Sequence, residues 1–215
     1  MICYTHLMKK PVIDPKSLKE IKVVELLTES HLEDIFVDGG DISESELEDI
    51  SFEKVLLDSV TLNQVKIDEL NILDSVFSKC NLAGVEIERS HFTRLKVKSS
   101  RLQGIQLTQM RAIDTSFISS KLNDSNFRYS KLKNVIFDSC DLSSVDFIGA
   151  EFKNVTFKDC NLSESNFSQT KLDNVTLAGS KITDLVISTE TIKEVFVDTG
   201  QAIYLSSIFG LKIRD

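Results

Sequence analysis

Every fifth residue from Leu32 through Val37, Ile42, Leu47 and Phe52 to Val197 and Ala202 is aliphatic or aromatic, alanine included, and no insertion breaks the frame. A period of five matches neither the 3.6 of a helix nor the 2 of a simple strand. The chain must therefore turn a corner every five residues, and most of it is one internal repeat. With each of these residues taken as a centre, the position two before it is usually small or β-branched, as at Cys80, Val85, Ser90, Ser100, Thr115, Val135, Cys140, Val155 and Cys160. The other three positions are mainly polar.

A period of twenty lies above the period of five. Phe117, Phe137 and Phe157 are twenty apart, as are Phe127, Phe147 and Phe167, and Leu82, Leu102, Leu122, Leu142 and Leu162. Four repeats thus close one coil, and like stacks on like in register. With coils about 4.8 Å apart, the segment from Leu32 to Val197 makes roughly eight coils and a rod on the order of 40 Å long. The expected fold is an all-β solenoid with a filled interior. Centres worth about 1.5–3 kcal/mol each when fully buried offset much of the conformational entropy of ordering, so no cofactor, metal or disulfide staple is required.

The unbroken frame argues for one elongated unit, divided into an N-terminal extension and cap (1–31), the repeat (32–197) and a C-terminal helix and tail (198–215). Pro11 and Pro15 are the only prolines, and no low-complexity spacer follows them. The start of the chain lacks a signal peptide's order of charged then apolar residues, and no run approaches the roughly 18 apolar residues of a membrane span. A soluble, cytoplasmic protein without a membrane partner is expected, with Met8 a candidate start and the residues before it a loose extension. None of the four cysteines has a metal-ligand spacing. Cys140 and Cys160 would be stacked neighbours about 4.8 Å apart, farther than bridged Cβ atoms sit. Cys80, Cys140 and Cys160 are expected to be buried, reduced and metal-free, and Cys3 the reactive thiol.

A solenoid needs caps at its ends. Residues 198–210 read as a short helix with Thr199 as N-cap and Gly210 as the left-handed stop. At the helical angle, Ala202, Leu205 and Phe209 share a face suited to the last coil, while Tyr204 and Ile208 share another. At the other end, Asp14 and Pro15 could start a helix through Leu18, with Ile21, Val23 and Val24 covering the first coil.

The repeat resembles the pentapeptide-repeat family, whose pattern is a small residue, Asn or Asp, Leu or Phe, then two polar residues. Cys160-Asn161-Leu162-Ser163 and Ser165-Asn166-Phe167-Ser168 match it closely. The resemblance implies a right-handed quadrilateral β-helix. Residues 201–213 are similar to the C-terminal helix and tail of Qnr-type quinolone-resistance members, which join as dimers through this end. That implies a homodimer interface at Tyr204, Ile208, Phe209 and Leu211.

No catalytic set is visible. His6, His31 and His91 have no carboxylate or cysteine partner four residues away, many serines sit at small or turn positions, and the glycines form no phosphate-binding loop. Gly84, Gly104, Gly149 and Gly179 instead recur two residues after a centre, as turns demand. A filled core leaves no active-site cavity, so the chain reads as no enzyme.

The charge is banded: a net −11 over residues 33–78, +7 over 79–133 and −6 over 134–198, within a total of −8. The Qnr-type resemblance implies a rod that mimics duplex DNA and binds a DNA topoisomerase such as gyrase; a dimer joined at its C-terminal ends would bring two net −6 segments together, and Asp138, Asp146, Asp159 and Glu164 in that segment are the expected acidic surface. Magnitude weighs against this, because duplex DNA carries about one charge per 1.7 Å. The alternative is a scaffold or adaptor that docks a partner on flat faces. Direct nucleic-acid binding by the basic band is disfavoured, since interleaved aromatics are lacking and the acidic neighbours would repel phosphate.

Overall fold

A computed structural model describes residues 8–87 and 89–212. Cys3, His6 and the extension before Met8 lie outside the described residues. The chain winds into a β-solenoid of about nine turns closed by a single C-terminal helix. Its register is the twenty-residue period of the sequence: Phe117 pairs with Phe137 and Phe137 with Phe157, all parallel.

Each coil has four faces, named here by their centres. The first carries Leu32, Phe52, Ile72, Phe92, Ala112, Leu132, Phe152 and Leu172, and the second carries Val37 through Phe117 to Leu177. In the middle coils these two faces are crossed by long strands, including Leu70–Ser78, Ser90–Lys98, Arg111–Ile118, Lys131–Asp138 and Glu151–Lys158. They belong to one twelve-stranded sheet. The third and fourth faces, centred on Leu142 and Phe147 in one such coil, are held by two-residue strands and single bridges such as Asn126↔Asp146 and Asp141↔Asn161.

The corners are made by left-handed backbone. Among the described residues, twenty-five non-glycine residues have positive φ, and every one of these lies two positions after a centre. Only Gly39, Gly84, Gly104, Gly149 and Gly179 supply glycine at that position. The left-handed turn aims each residue's N–H along the rod, where it donates to the coil above: Lys54 to the Leu73 carbonyl at 3.0 Å, Ser59 to Ser78 at 2.8 Å, Ser139 to Lys158 at 2.8 Å. These bonds repeat at corner after corner, which offsets the roughly 1–2 kcal/mol cost of a left-handed L-residue. Gly149 has a further reason to be glycine. A Cβ there would come within 2.6 Å of the Tyr129 ring in the coil below.

The core is a set of ladders that also interlock. The Phe117, Phe137 and Phe157 rings stack with centroids 5.0 Å apart and interplanar angles of 8° and 4°. The tilted ladder of Phe127, Phe147 and Phe167 has spacings of 5.3 and 4.9 Å. Between ladders, Phe137 meets Phe147 edge-on at 6.5 Å and Phe157 meets Phe167 at 5.9 Å. Cys80, Cys140 and Cys160 are free and buried. Burial pushes the Cys80 thiol up to about 11. Contact with the Cys160 thiol, then burial, holds Cys140 well above the ordinary thiol range.

Both caps differ from expectation in detail. Asp14 and Pro15 do not start a helix through Leu18. They make a single turn, in which the Asp14 carboxylate accepts from Lys16 N and its carbonyl from Ser17 N, both at 3.1 Å. Lys19–Glu20 then runs as a strand beside Ile35–Phe36. The capping helix is a 3-10 turn at Val23–Leu27, which buries Val23 and Leu26 and leaves Val24 exposed. A Cβ on Gly40 would strike Val23, so the first coil is open there to admit the cap.

At the C-terminus the N-cap is Asp198 in place of Thr199. The helix Thr199–Ile208 opens with a capping box in which Asp198 Oδ1 accepts from Gln201 N at 2.9 Å and Gln201 Oε1 from Asp198 N at 3.0 Å. A carboxylate is the better partner for those N–H groups and the helix dipole. Gly210 is the left-handed stop, with φ +76. Leu205 faces the last coil as expected, but Ala202 and Phe209 are exposed. Gln201 takes the inner place, its Nε2 donating to the Leu177 and Ser180 carbonyls at 2.7 and 2.6 Å. The last coil presents orphan carbonyls, and an amide satisfies them where an alanine cannot.

Candidate interaction surfaces

The outward side chains stack at the same twenty-residue interval as the core, so the outside is a set of columns. One runs along the corner between the first and second faces: Asp34, Lys54, Asp74, Arg94, Asp114, Asn134, Asn154 and Asn174. Arg94 grips Asp74 with two bonds, Nε to Oδ1 and a terminal nitrogen to Oδ2, both 2.6 Å. Asp74 also accepts from Val12 N at 2.8 Å, which ties the N-terminal arm to the third coil. Arg94 holds the Asp74 carboxyl below its usual range. Farther along, amides take over. Asn134 donates to Asp114 at 2.9 Å, Asn154 to Asn134 at 2.9 Å and Asn174 to Asn154 at 2.7 Å. The repetition of Asn134, Asn154 and Asn174 at twenty was the signal in the sequence, but an amide ladder cannot be told there from exposed turn residues.

Most ion pairs join neighbouring coils. Lys54 alone serves Glu33, Asp34 and Glu53, at 3.2, 3.6 and 3.8 Å. Glu151 lies between Lys131 and Lys171, at 3.3 and 3.0 Å, and these two lysines, Lys171 first, hold its carboxyl below the usual range.

The four acids expected to form a partner surface do not converge on one face. Asp138 and Asp159 border the corner between the second and third faces, Glu164 sits at the next corner, and Asp146 lies on the fourth face. Asp138 is paired with Lys158 at 3.0 Å and accepts from Ser139 at 2.8 Å. Burial pushes its carboxyl up, but those two bonds outweigh it and the net direction is down. Asp146 is paired with Arg128 at 2.9 Å. Asp159 and Glu164 are exposed, and Glu164 accepts from Ser144 at 3.4 Å.

At the C-terminal end, Ile208, Phe209 and Leu211 are exposed, together with Phe196 and Ile203. Tyr204 differs. Its ring packs on the solenoid core and its hydroxyl accepts from Asp184 N at 2.6 Å, so it serves its own last coil. Among the described residues no helix is long and apolar enough to cross a membrane.

A model described as a pentapeptide repeat region matches residues 90–167 and, overlapping, 111–187. No curated protein matches the sequence. Among solved structures, the chain is similar to the pentapeptide repeat protein Rfr23 from the cyanobacterium Cyanothece 51142, with 15% identity, a TM-score of 0.39 and coverage of 46% of this chain and 64% of that one. The chain therefore spans less than two thirds of Rfr23. It is also similar to trypsin-treated QnrB1, a plasmid-mediated fluoroquinolone resistance protein, at 20% identity and a TM-score of 0.40, covering 92% of this chain and 96% of that one. HetL, from the cyanobacterium Nostoc sp. strain PCC 7120, is similar at 12% identity and a TM-score of 0.30, covering 77% and 86%. The family model falls on the coils with the phenylalanine ladders, so residues 90–187 match a pentapeptide repeat region, and the same five-residue register and left-handed corners continue on either side of it.

Proposed function

We propose that the protein is a non-enzymatic docking rod, cytoplasmic and dimeric, that binds another protein on the outside of its β-helix. The observation that carries this is the filled interior: centres and small residues from Leu32 to Ile187 are buried in one continuous core, which leaves only outer faces to recognise anything. The exposed Ile208, Phe209 and Leu211 are the surface for joining two chains end to end, with Tyr204 supporting the helix from within.

The most concrete partner is a DNA topoisomerase such as gyrase, engaged by DNA mimicry at Asp138, Asp146, Asp159 and Glu164. The ion pairs of Asp138 and Asp146 favour the second reading, a scaffold whose partner is not a DNA-binding enzyme, because a neutralised acid is a poor copy of a phosphate. Purified protein added to gyrase supercoiling and quinolone-stabilised cleavage reactions separates the two. Topoisomerase binding predicts inhibition or protection that weakens with salt and disappears when the four acids are changed to lysine at unchanged melting temperature. No effect at roughly 10–100 µM and low salt rejects the topoisomerase and leaves the scaffold.

A further inference from the structure

On the first face, the column just after the centres reads Glu33, Glu53, Leu73, Thr93, Ile113, Lys133, Lys153 and then Asp173, which pairs with Lys153 in register but is held by Lys193 at 3.0 Å and lies beyond the symmetric stretch. Strand register makes it one continuous strip: Glu33 pairs with Glu53, Glu53 with Leu73, Leu73 with Thr93, Thr93 with Ile113, Ile113 with Lys133 and Lys133 with Lys153. Counted outwards from Thr93, each step in one direction meets a complementary residue in the other. Leu73 answers Ile113, Glu53 answers Lys133, and Glu33 answers Lys153.

We infer that this strip is a self-complementary docking surface for a second copy of the chain, laid face to face and antiparallel about Thr93. A twofold axis lying in the face and crossing the rod reverses the order of a column without moving it sideways. Thr93 then meets Thr93, and three complementary contacts form on each side of it. The neighbouring column tolerates this arrangement, since Ser51 meets Lys131, Asn71 meets Arg111, His31 meets Glu151 and His91 meets its own copy. On the other flank Arg94 meets its own copy and Asp74 opposes Asp114, but both acids are buried and Arg94 is neutralised by its two bonds to Asp74.

Two features of the single chain point to a missing partner. Like charges directly opposite on adjacent strands are destabilising, yet Glu33 stacks on Glu53 and Lys133 on Lys153. At the acidic end Lys54 is shared by three carboxylates. At the basic end neither Lys133 nor Lys153 has an ion pair among the described residues. Ile113, an isoleucine in the middle of the strip, is 42% exposed. An antiparallel copy covers it and supplies each surplus charge with its opposite.

Size sets the strength. Six coil steps of about 4.8 Å span about 29 Å, and a strip one face wide over that length falls short of the roughly 1,600 Å² of a standard interface. The association is therefore weak, reversible and dependent on salt.

The test is sedimentation of full-length protein carrying Ile208→Asp and Phe209→Asp, which removes the end-to-end contact of the proposed function and keeps the two interfaces distinguishable. At about 0.01 M salt, where screening reaches about 30 Å, the parent should self-associate at roughly 100 µM. Lys133→Glu with Lys153→Glu, and separately Glu33→Lys with Glu53→Lys, should each weaken self-association about tenfold or more. Mixing these two variants should restore a dimer, as should combining all four changes in one chain. The mixing arm guards against a folding defect, because a misfolded chain would not be rescued by its complement. A monomeric parent under these conditions, half-swapped variants that associate like the parent, or a mixture that stays monomeric would each overturn the inference.

Discussion

At most corners of the coil a single residue has a left-handed backbone, and its side chain decides what that corner contributes beyond its N–H bond. Asp74 is the clearest case. It sits at φ 50, buried, with two bonds from Arg94 and one from the Val12 backbone. Asp74→Asn should cost about 1–3 kcal/mol at neutral pH, since a charge-assisted pair is lost and Arg94 is left without its counter-charge. The sign with pH follows from the lowered carboxyl of the folded state. Its contribution is present above the unfolded carboxyl's titration near pH 4 and is lost as pH falls through the lower folded value. Melting temperatures of the parent and the variant should therefore converge below about pH 4; a gap that stays constant down to pH 2 would contradict the assignment.

Among the elements, the C-terminal helix shows how an end is closed. Its ten residues bury only Gln201 and Leu205, one amide and one aliphatic, while Tyr204 packs partly beneath. Gln201 meets three needs at once: it caps Asp198 N and satisfies the Leu177 and Ser180 carbonyls. Gln201→Ala should lower stability by about 1–3 kcal/mol, because two buried acceptors lose their donor. Amide exchange should rise first in the helix and in the coil of Leu177 and Ser180. Unchanged protection there would show that the amide does not hold the cap.

For the whole molecule, coils touch only their neighbours, so damage should spread by distance along the rod. Phe147 lies in the middle of the aromatic stack, within 4.9–6.5 Å of Phe127, Phe137, Phe152, Phe157 and Phe167. Phe147→Ala should cost about 3–5 kcal/mol. Its effect on hydrogen exchange should be largest in coils 127–167 and smaller in the aliphatic coils near Leu57 and Leu62. Equal loss of protection along the chain would mean a single cooperative block in place of a stack.

The period of five and the period of twenty determined the coil, the register, the two phenylalanine ladders and the buried thiols, because in a solenoid sequence spacing is spatial spacing. The glycines at 84, 104, 149 and 179 marked the corners for the same reason. What broke the period was settled only in three dimensions. The N-terminal arm turned at Asp14 and paired as a strand, since the sheet edge at Ile35–Phe36 offered bonds that a short helix could not match. Asp198 and Gln201 replaced Thr199 and Ala202 because orphan N–H and carbonyl groups at the last coil needed polar partners. Which acids are neutralised was also hidden, since a pair such as Lys158 and Asp138 is formed across coils by rotamers that no spacing reveals. Columns of residues could be read from the sequence. Which face each column shares with its neighbours, and so what a second molecule would meet, followed from how the coil closed.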